Sequence, residues 1–124
     1  MLSHYIAIGI GGALGAVLRV GLSSLLPTAA FGIPMPIMIV NVLGCFVMGV
    51  LSEVLAFYWS SSDHMRYLLI PGLLGGFTTF SSFALEFGFL MEKDSYLPAI
   101  GYVTLSVGLS LLFFFFGLRL VRML

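Results

Sequence analysis

Four long apolar runs, separated by short polar connectors, constrain this chain more than any other feature. They lie roughly at 5–26, 37–59, 67–90 and 97–118. Each is near the ~20 residues that a helix needs to cross a bilayer core. No water reaches that core, so a spanning backbone must satisfy its own hydrogen bonds, and a helix does this within one segment. Composition supports the same reading: 60% of the 124 residues are hydrophobic and 8% are charged. Soluble domains carry about 25% charged residues. The sequence therefore predicts an all-α integral membrane protein, with 1–124 forming a single four-helix transmembrane domain. The first run has no basic leading region and no small-residue cleavage signal. It is also too long for a signal-peptide core, so it reads as a retained helix.

Composition excludes several classes of function. The formal net charge is +0, which points to no nucleic acid and to no acidic partner. The one cysteine, Cys45, leaves no intrachain disulfide. His4 and His64 are far apart in sequence and near segment ends, so no metal-ligand cluster is apparent. No Ser-His pair, acid dyad or metal set is arranged for chemistry, which argues against an intramembrane enzyme.

The third run holds the sequence's main irregularity, the stretch 71–86, PGLLGGFTTFSSFALE. A plain membrane helix would carry Leu, Ile and Val there. Gly75-Gly76 before Thr78-Thr79 makes a poor continuous helix, because glycine costs backbone entropy and threonine is stiff at χ1. Irregular backbone at membrane depth survives where it is buried in protein or lines a polar cavity. The stretch predicts a third helix broken near its middle, beside the functional site. Close approach of two helices at the glycines is the competing explanation. Beyond the break, Phe80 and Phe83 share one helical face, and Glu86 follows one turn on.

The other runs carry isolated polar residues. Gly11-xxx-Gly15 and Gly12-xxx-Ala16 in the first run invite a neighbouring backbone. Arg19 follows, and should snorkel or face a wet vestibule. The connector 27–36 contains Pro27, Gly32, Pro34 and Pro36 and reads as a loop. Asn41 in the second run must find a partner in protein or water. Glu53 lies toward the other end of that helix, near the headgroups. The stretch 60–66, SSSDHMR, reads as a polar turn. In the fourth run Tyr102, Ser106 and Ser110 recur every fourth position and stripe one face. Arg119 and Arg122 close the chain as interfacial anchors.

Four spans put both termini on one side, with Arg66, Arg119 and Arg122. Lys93 and Arg19 fall toward the other side. Lysine and arginine near segment ends orient a membrane protein, and here the two sides nearly balance. Such a chain can insert both ways and pair antiparallel. A homodimer about an axis in the membrane plane would enclose more room than four short helices.

The sequence resembles the CrcB/Fluc fluoride channels over nearly its whole length. The resemblance rests on GGALGAVLR (11–19), NVLGCFVMG (41–49), GGFTTFSSF (75–83) and the Tyr102/Ser106/Ser110 stripe. Val20, Cys45 and Ser82 depart from the family's usual residues. The resemblance implies an antiparallel homodimer in a bacterial inner membrane that exports fluoride through two pores. It implies a fluoride pathway lined by Asn41, Thr79, Phe80, Phe83, Tyr102, Ser106 and Ser110, with Arg19 and Glu86 associated with it or its vestibule. It further implies a structural Na⁺ at the dimer interface, held by backbone carbonyls of Gly75 and Thr78. A small multidrug-resistance-like proton-coupled exporter is the alternative. That chemistry calls for an acid deep in the first helix, and this chain has none there. A purely structural subunit of a larger complex would not need polar faces on the second and fourth helices.

Overall fold

In the computed structural model, which describes all residues Met1–Leu124, four helical segments are long and apolar enough to cross a membrane. The first is α1 (Leu2–Leu25) and the second is α2 (Pro36–Phe57). The third, Asp63–Glu92, is composite. It runs through α3 (Asp63–Tyr67), a π-helical stretch at Leu68–Leu74, α4 (Gly75–Phe77) and α5 (Phe80–Glu92). The fourth is α6 (Tyr96–Arg122).

Local chemistry sets the boundaries. Pro36 opens α2, where its missing N–H leaves no bond unmade. Ser62 caps α3 by accepting the Met65 N–H at 3.2 Å, and Asp63 stands in the first turn, where the helix dipole favours an acid. The polar stretch expected as a turn is therefore partly helix. Arg119 and Arg122 occupy the last turn of α6, where the dipole favours cations.

The connector expected as a plain loop folds into a small antiparallel hairpin. Strand β1 (Ala29–Ala30) pairs with β2 (Ile33–Pro34). Phe31 and Gly32 turn it with φ of 54° and 78°, the positive pair that a tight primed turn demands.

Two seams hold the segments together, and both are backbone against backbone. A side chain at Gly11 would overlap the carbonyl oxygen of Leu68, and one at Gly15 that of Leu73. Thus α1 lies directly on the π stretch and α4. At the second seam, Gly49 of α2 faces the Phe114 carbonyl of α6, and Gly117 of α6 faces the Phe46 carbonyl. Small residues of this kind let membrane helices approach closely, where packing replaces the hydrophobic effect as the driving force.

Glu53 stands toward the end of α2, as its position in the second run implies. It is only 5% exposed, and it accepts an ion pair from Arg122 at 3.0 Å. A carboxylate inside the bundle needs such a partner, and Arg122 supplies it from a side chain that is 57% exposed. The pair ties α2 to the end of α6. Only 18 of the 124 residues are buried, so most apolar side chains point outward. Hydrocarbon, or another apolar surface, accommodates them. The chain is a multi-pass integral membrane protein.

Candidate functional site

Pro71 shapes the approach to the site. It has no N–H, and in an α-helix its ring would press on the carbonyl four residues back, that of Tyr67. The chain widens into π-helix over Leu68–Leu74 instead. Such wide turns appear often at functional sites. Helical geometry resumes for Gly75–Phe77 and then stops. Thr78 and Thr79 are extended, with φ, ψ of −87°, 153° and −150°, 122°. Thr79 then starts α5, its hydroxyl accepting the Ser82 N–H at 3.2 Å.

Two extended residues among helices free backbone groups that need partners. Asn41 of α2 takes both groups of Thr79. Its Nδ2 donates to the Thr79 carbonyl at 2.9 Å, and its Oδ1 accepts the Thr79 N–H at 2.8 Å. Arg19 of α1 donates from Nε to the Gly76 carbonyl at 3.2 Å. The Thr78 hydroxyl bonds back to the Leu74 carbonyl at 3.0 Å. No turn, loop or side-chain hydrogen bond ends on the carbonyls of Gly75 or Thr78.

Beside the extended pair lies a groove of about 260 Å³. Asn41 and Cys45 of α2 form one wall, and Ser106 and Ser110 of α6 another. Thr78, Thr79, Phe80 and Phe83 of the third segment line it as well. The lining includes hydroxyls, an amide and a thiol, and no charged side chain. Tyr102 is fully buried behind Phe83, the rings stacked at 5.3 Å and 30°. Phe80 meets Phe83 at 5.3 Å and 48°, yet is 78% exposed and faces out of the chain. Three aromatic rings thus run from the surface to the interior.

Two donors in this region are unspent. The Tyr102 hydroxyl and the Ser106 Oγ are buried with no hydrogen-bond partner in the chain. An orphaned buried hydroxyl costs about 1–3 kcal/mol. Glu86, one turn past Phe83 on α5, also has a buried carboxylate oxygen without a partner.

Comparison with known proteins decides the family. The profile of the CrcB-like protein, Camphor Resistance (CrcB) family matches residues 6–118. The chain belongs to the CrcB family. It is 43% identical over 123 residues to a protein of Rhizobium meliloti (strain 1021) named fluoride-specific ion channel FluC, with 98% of each chain covered. Two further proteins of that name, from Chelativorans sp. (strain BNC1) and Rhodospirillum centenum (strain ATCC 51521 / SW), are 44% and 45% identical. The alignments cover 96% and 94% of each pair.

Within this CrcB chain, the groove brings together Asn41, Thr79, Phe80, Phe83, Ser106 and Ser110. Tyr102 stands one layer behind them. Arg19 lies on the other side of the third segment, at Gly76, and not in the groove wall. Glu86 also stands outside that wall. Four lining residues were not read from the sequence as part of a pathway: Cys45, Thr78, Val107 and Leu111. Cys45 was detectable, since it lies one helical turn after Asn41 and shares its face. Thr78 lines the groove as well as belonging to the interruption.

Proposed function

We propose that this protein is a fluoride-selective channel that lets F⁻ leave the cell across the bacterial inner membrane. The observation that carries the proposal is the uncharged groove, with the unpartnered buried hydroxyl of Ser106 in its lining and that of Tyr102 behind it, in a chain whose CrcB relatives are named fluoride-specific channels. Fluoride is small and strongly hydrated, so a pore must replace its water with donors. Ser106, Ser110 and Tyr102 offer hydroxyls. Asn41 has a second amide hydrogen beyond the one given to Thr79. Aromatic edges are electropositive, so Phe80 and Phe83 pass the anion edge-on. A cation in the wall would hold the ion too long, whereas conduction needs sites weak enough to leave.

Asn41 has a second duty in this mechanism. By holding both backbone groups of Thr79 it keeps the extended pair in the lining of the groove. Arg19 steadies the same region from α1 through Gly76. Glu86, just beyond the rings, belongs to the vestibule side of the path.

The functional unit is an antiparallel homodimer with two pores and a central structural Na⁺. Three features support this. The basic residues near segment ends are nearly balanced between sides. The Gly75 and Thr78 carbonyls suit a hard cation that binds oxygen. A Cβ on Gly75 would meet only the Ile70 carbonyl oxygen, at 3.7 Å, which leaves its open side for a second copy. A bound Na⁺ would offset the cost of exposed carbonyls at membrane depth.

A proton-coupled exporter gains no support, because α1 has no acid and Glu53 is held by Arg122. The test is efflux from liposomes carrying the purified protein. F⁻ should leave through the protein while Cl⁻ stays. Equal release of both ions, or no F⁻ release, would reject the function.

A further inference from the structure

The two histidines, far apart in sequence, meet at one end of the bundle. His4 stands in the first turn of α1 and His64 in α3. Both helices begin on the same side of the membrane. The two ring centroids are 4.8 Å apart, with the planes tilted by 59°. Tyr67 stacks on His4 at 4.7 Å and 25°, which fixes that ring's plane. Neither imidazole takes part in any of the chain's side-chain hydrogen bonds. Each neutral ring therefore keeps an unused nitrogen lone pair.

This spacing matches a specific geometry. A tetrahedral metal bound by two imidazole nitrogens at about 2.0–2.1 Å places the ring centroids about 5 Å apart. We propose that His4 and His64 form a two-imidazole site for a divalent transition cation, such as Zn²⁺ or Ni²⁺, at the membrane surface. Imidazole suits such metals, whereas Na⁺, Mg²⁺ and Ca²⁺ prefer all-oxygen sets.

Asp63 shares with His4 a hollow of about 430 Å³ that His64 does not line, so its carboxylate stands near one imidazole only. Arg66 lines that hollow too, but its guanidinium donates to the Leu55 carbonyl of α2 at 2.9 Å and so is turned toward the end of that helix. No group of three or more metal-ligating side chains exists in the chain, so water completes the coordination. The site is a clamp. α3 leads directly into the π stretch that lies against Gly11, so a bound cation pins the start of the third segment to α1. The site is separate from the groove and does not depend on which ion the groove conducts.

The test is titration of the purified full chain with Zn²⁺ by calorimetry, together with thermal unfolding with and without Zn²⁺. The expected result is saturable uptake of one cation per chain and a raised Tm. His4→Gln and His64→Gln should each weaken uptake at least tenfold and abolish the Tm rise, while gel filtration and the metal-free Tm stay as in the parent. Cys45→Ser, which removes the one thiol, should leave Zn²⁺ uptake unchanged. Uptake retained in both histidine variants, or lost on removing Cys45, would overturn the site, as would uptake that never saturates.

Discussion

The third segment has two halves that behave as opposites. Before Thr78, the π stretch and α4 lie on α1 with bare backbone at the contact, and Gly76 sits so close to Gly12 that a Cβ would come within 2.5 Å of its carbonyl oxygen. After Thr79, α5 buries only Leu90 and turns Phe80 outward. One half is a fixed anchor and the other a loosely held wall. The comparison teaches how a membrane protein can hold two extended residues inside a helix. The anchor fixes where the helix stops, Asn41 ties down the freed backbone, and the wall leaves a groove open beside it. Close backbone packing and an open groove are thus separated along one segment, with the threonines at the junction.

The sharpest way to break this contrast is to place matched side chains on its two sides. Gly15→Val drives a side chain into the backbone of Leu73 and Phe77, which cannot swing aside as a rotamer can. Core overpacking typically costs about 1–3 kcal/mol and more where backbone must shift. Little folded protein should be recovered, as judged by monodisperse yield in detergent. Gly75→Val meets only the Ile70 carbonyl oxygen, at 3.7 Å, so the protomer should keep its helical content. Any loss should appear as failed self-association, read by cross-linking. Equal recovery and equal assembly of the two variants would erase the distinction between the faces.

Next in size is Asn41→Leu. It strands the N–H and the carbonyl of Thr79, and each buried unsatisfied group costs about 1–3 kcal/mol. Both thermal stability and F⁻ flux should fall. Asn41→Asp keeps the acceptor for the Thr79 N–H, so it should lose less stability. It adds a negative charge to the groove, so it should lose as much flux. Efflux and unfolding measured on both variants separate the holding duty from the conducting one.

A milder perturbation leaves the sequence alone. Prolonged replacement of Na⁺ by N-methylglucamine on both sides should lower flux if the Gly75 and Thr78 carbonyls hold a central ion. Flux that persists after full exchange would remove Na⁺ from the account and leave Gly75 with a packing role only.

The smallest effect on stability, and the most discriminating, is expected at Ser106. Its hydroxyl has no partner, so Ser106→Ala should leave the Tm unchanged or slightly raised while F⁻ efflux drops several-fold. A structural serine would show the reverse: lower Tm and unchanged efflux. Tyr102→Phe should behave in the same way, since its hydroxyl is also unspent.

How far the sequence could be read follows from the physics of each feature. The four spans were legible because hydrocarbon imposes length and apolarity on every spanning helix. The polar residues of the groove were legible because an amide or hydroxyl among leucines needs a reason. Pairings between segments were hidden. Nothing local to Glu53 announces Arg122, and the ion pair forms only when α2 and α6 pack. His4 and His64 likewise meet only through topology. Pro71 was visible, but the wide turn it induces depends on the Tyr67 carbonyl and on the seam with α1. The hairpin at β1 and β2 was hidden by Phe31, a residue that rarely takes positive φ; only Gly32 hinted at it. Asn41 was readable as polar, yet its partner, the backbone of Thr79, required three dimensions.

The central claim is that the groove between α2, α6 and the threonines is the ion's path, and the chain supplies its own probe. Cys45 is the only thiol and lines that groove. Purified protein in liposomes should be treated with Ag⁺ or a small methanethiosulfonate, with mass spectrometry counting the modified chains for the latter. F⁻ efflux should fall in proportion to modification, and Cys45→Ala should conduct and ignore the reagent. Full efflux from chains whose Cys45 is fully modified would contradict the account, because an occupied groove could not then be the path.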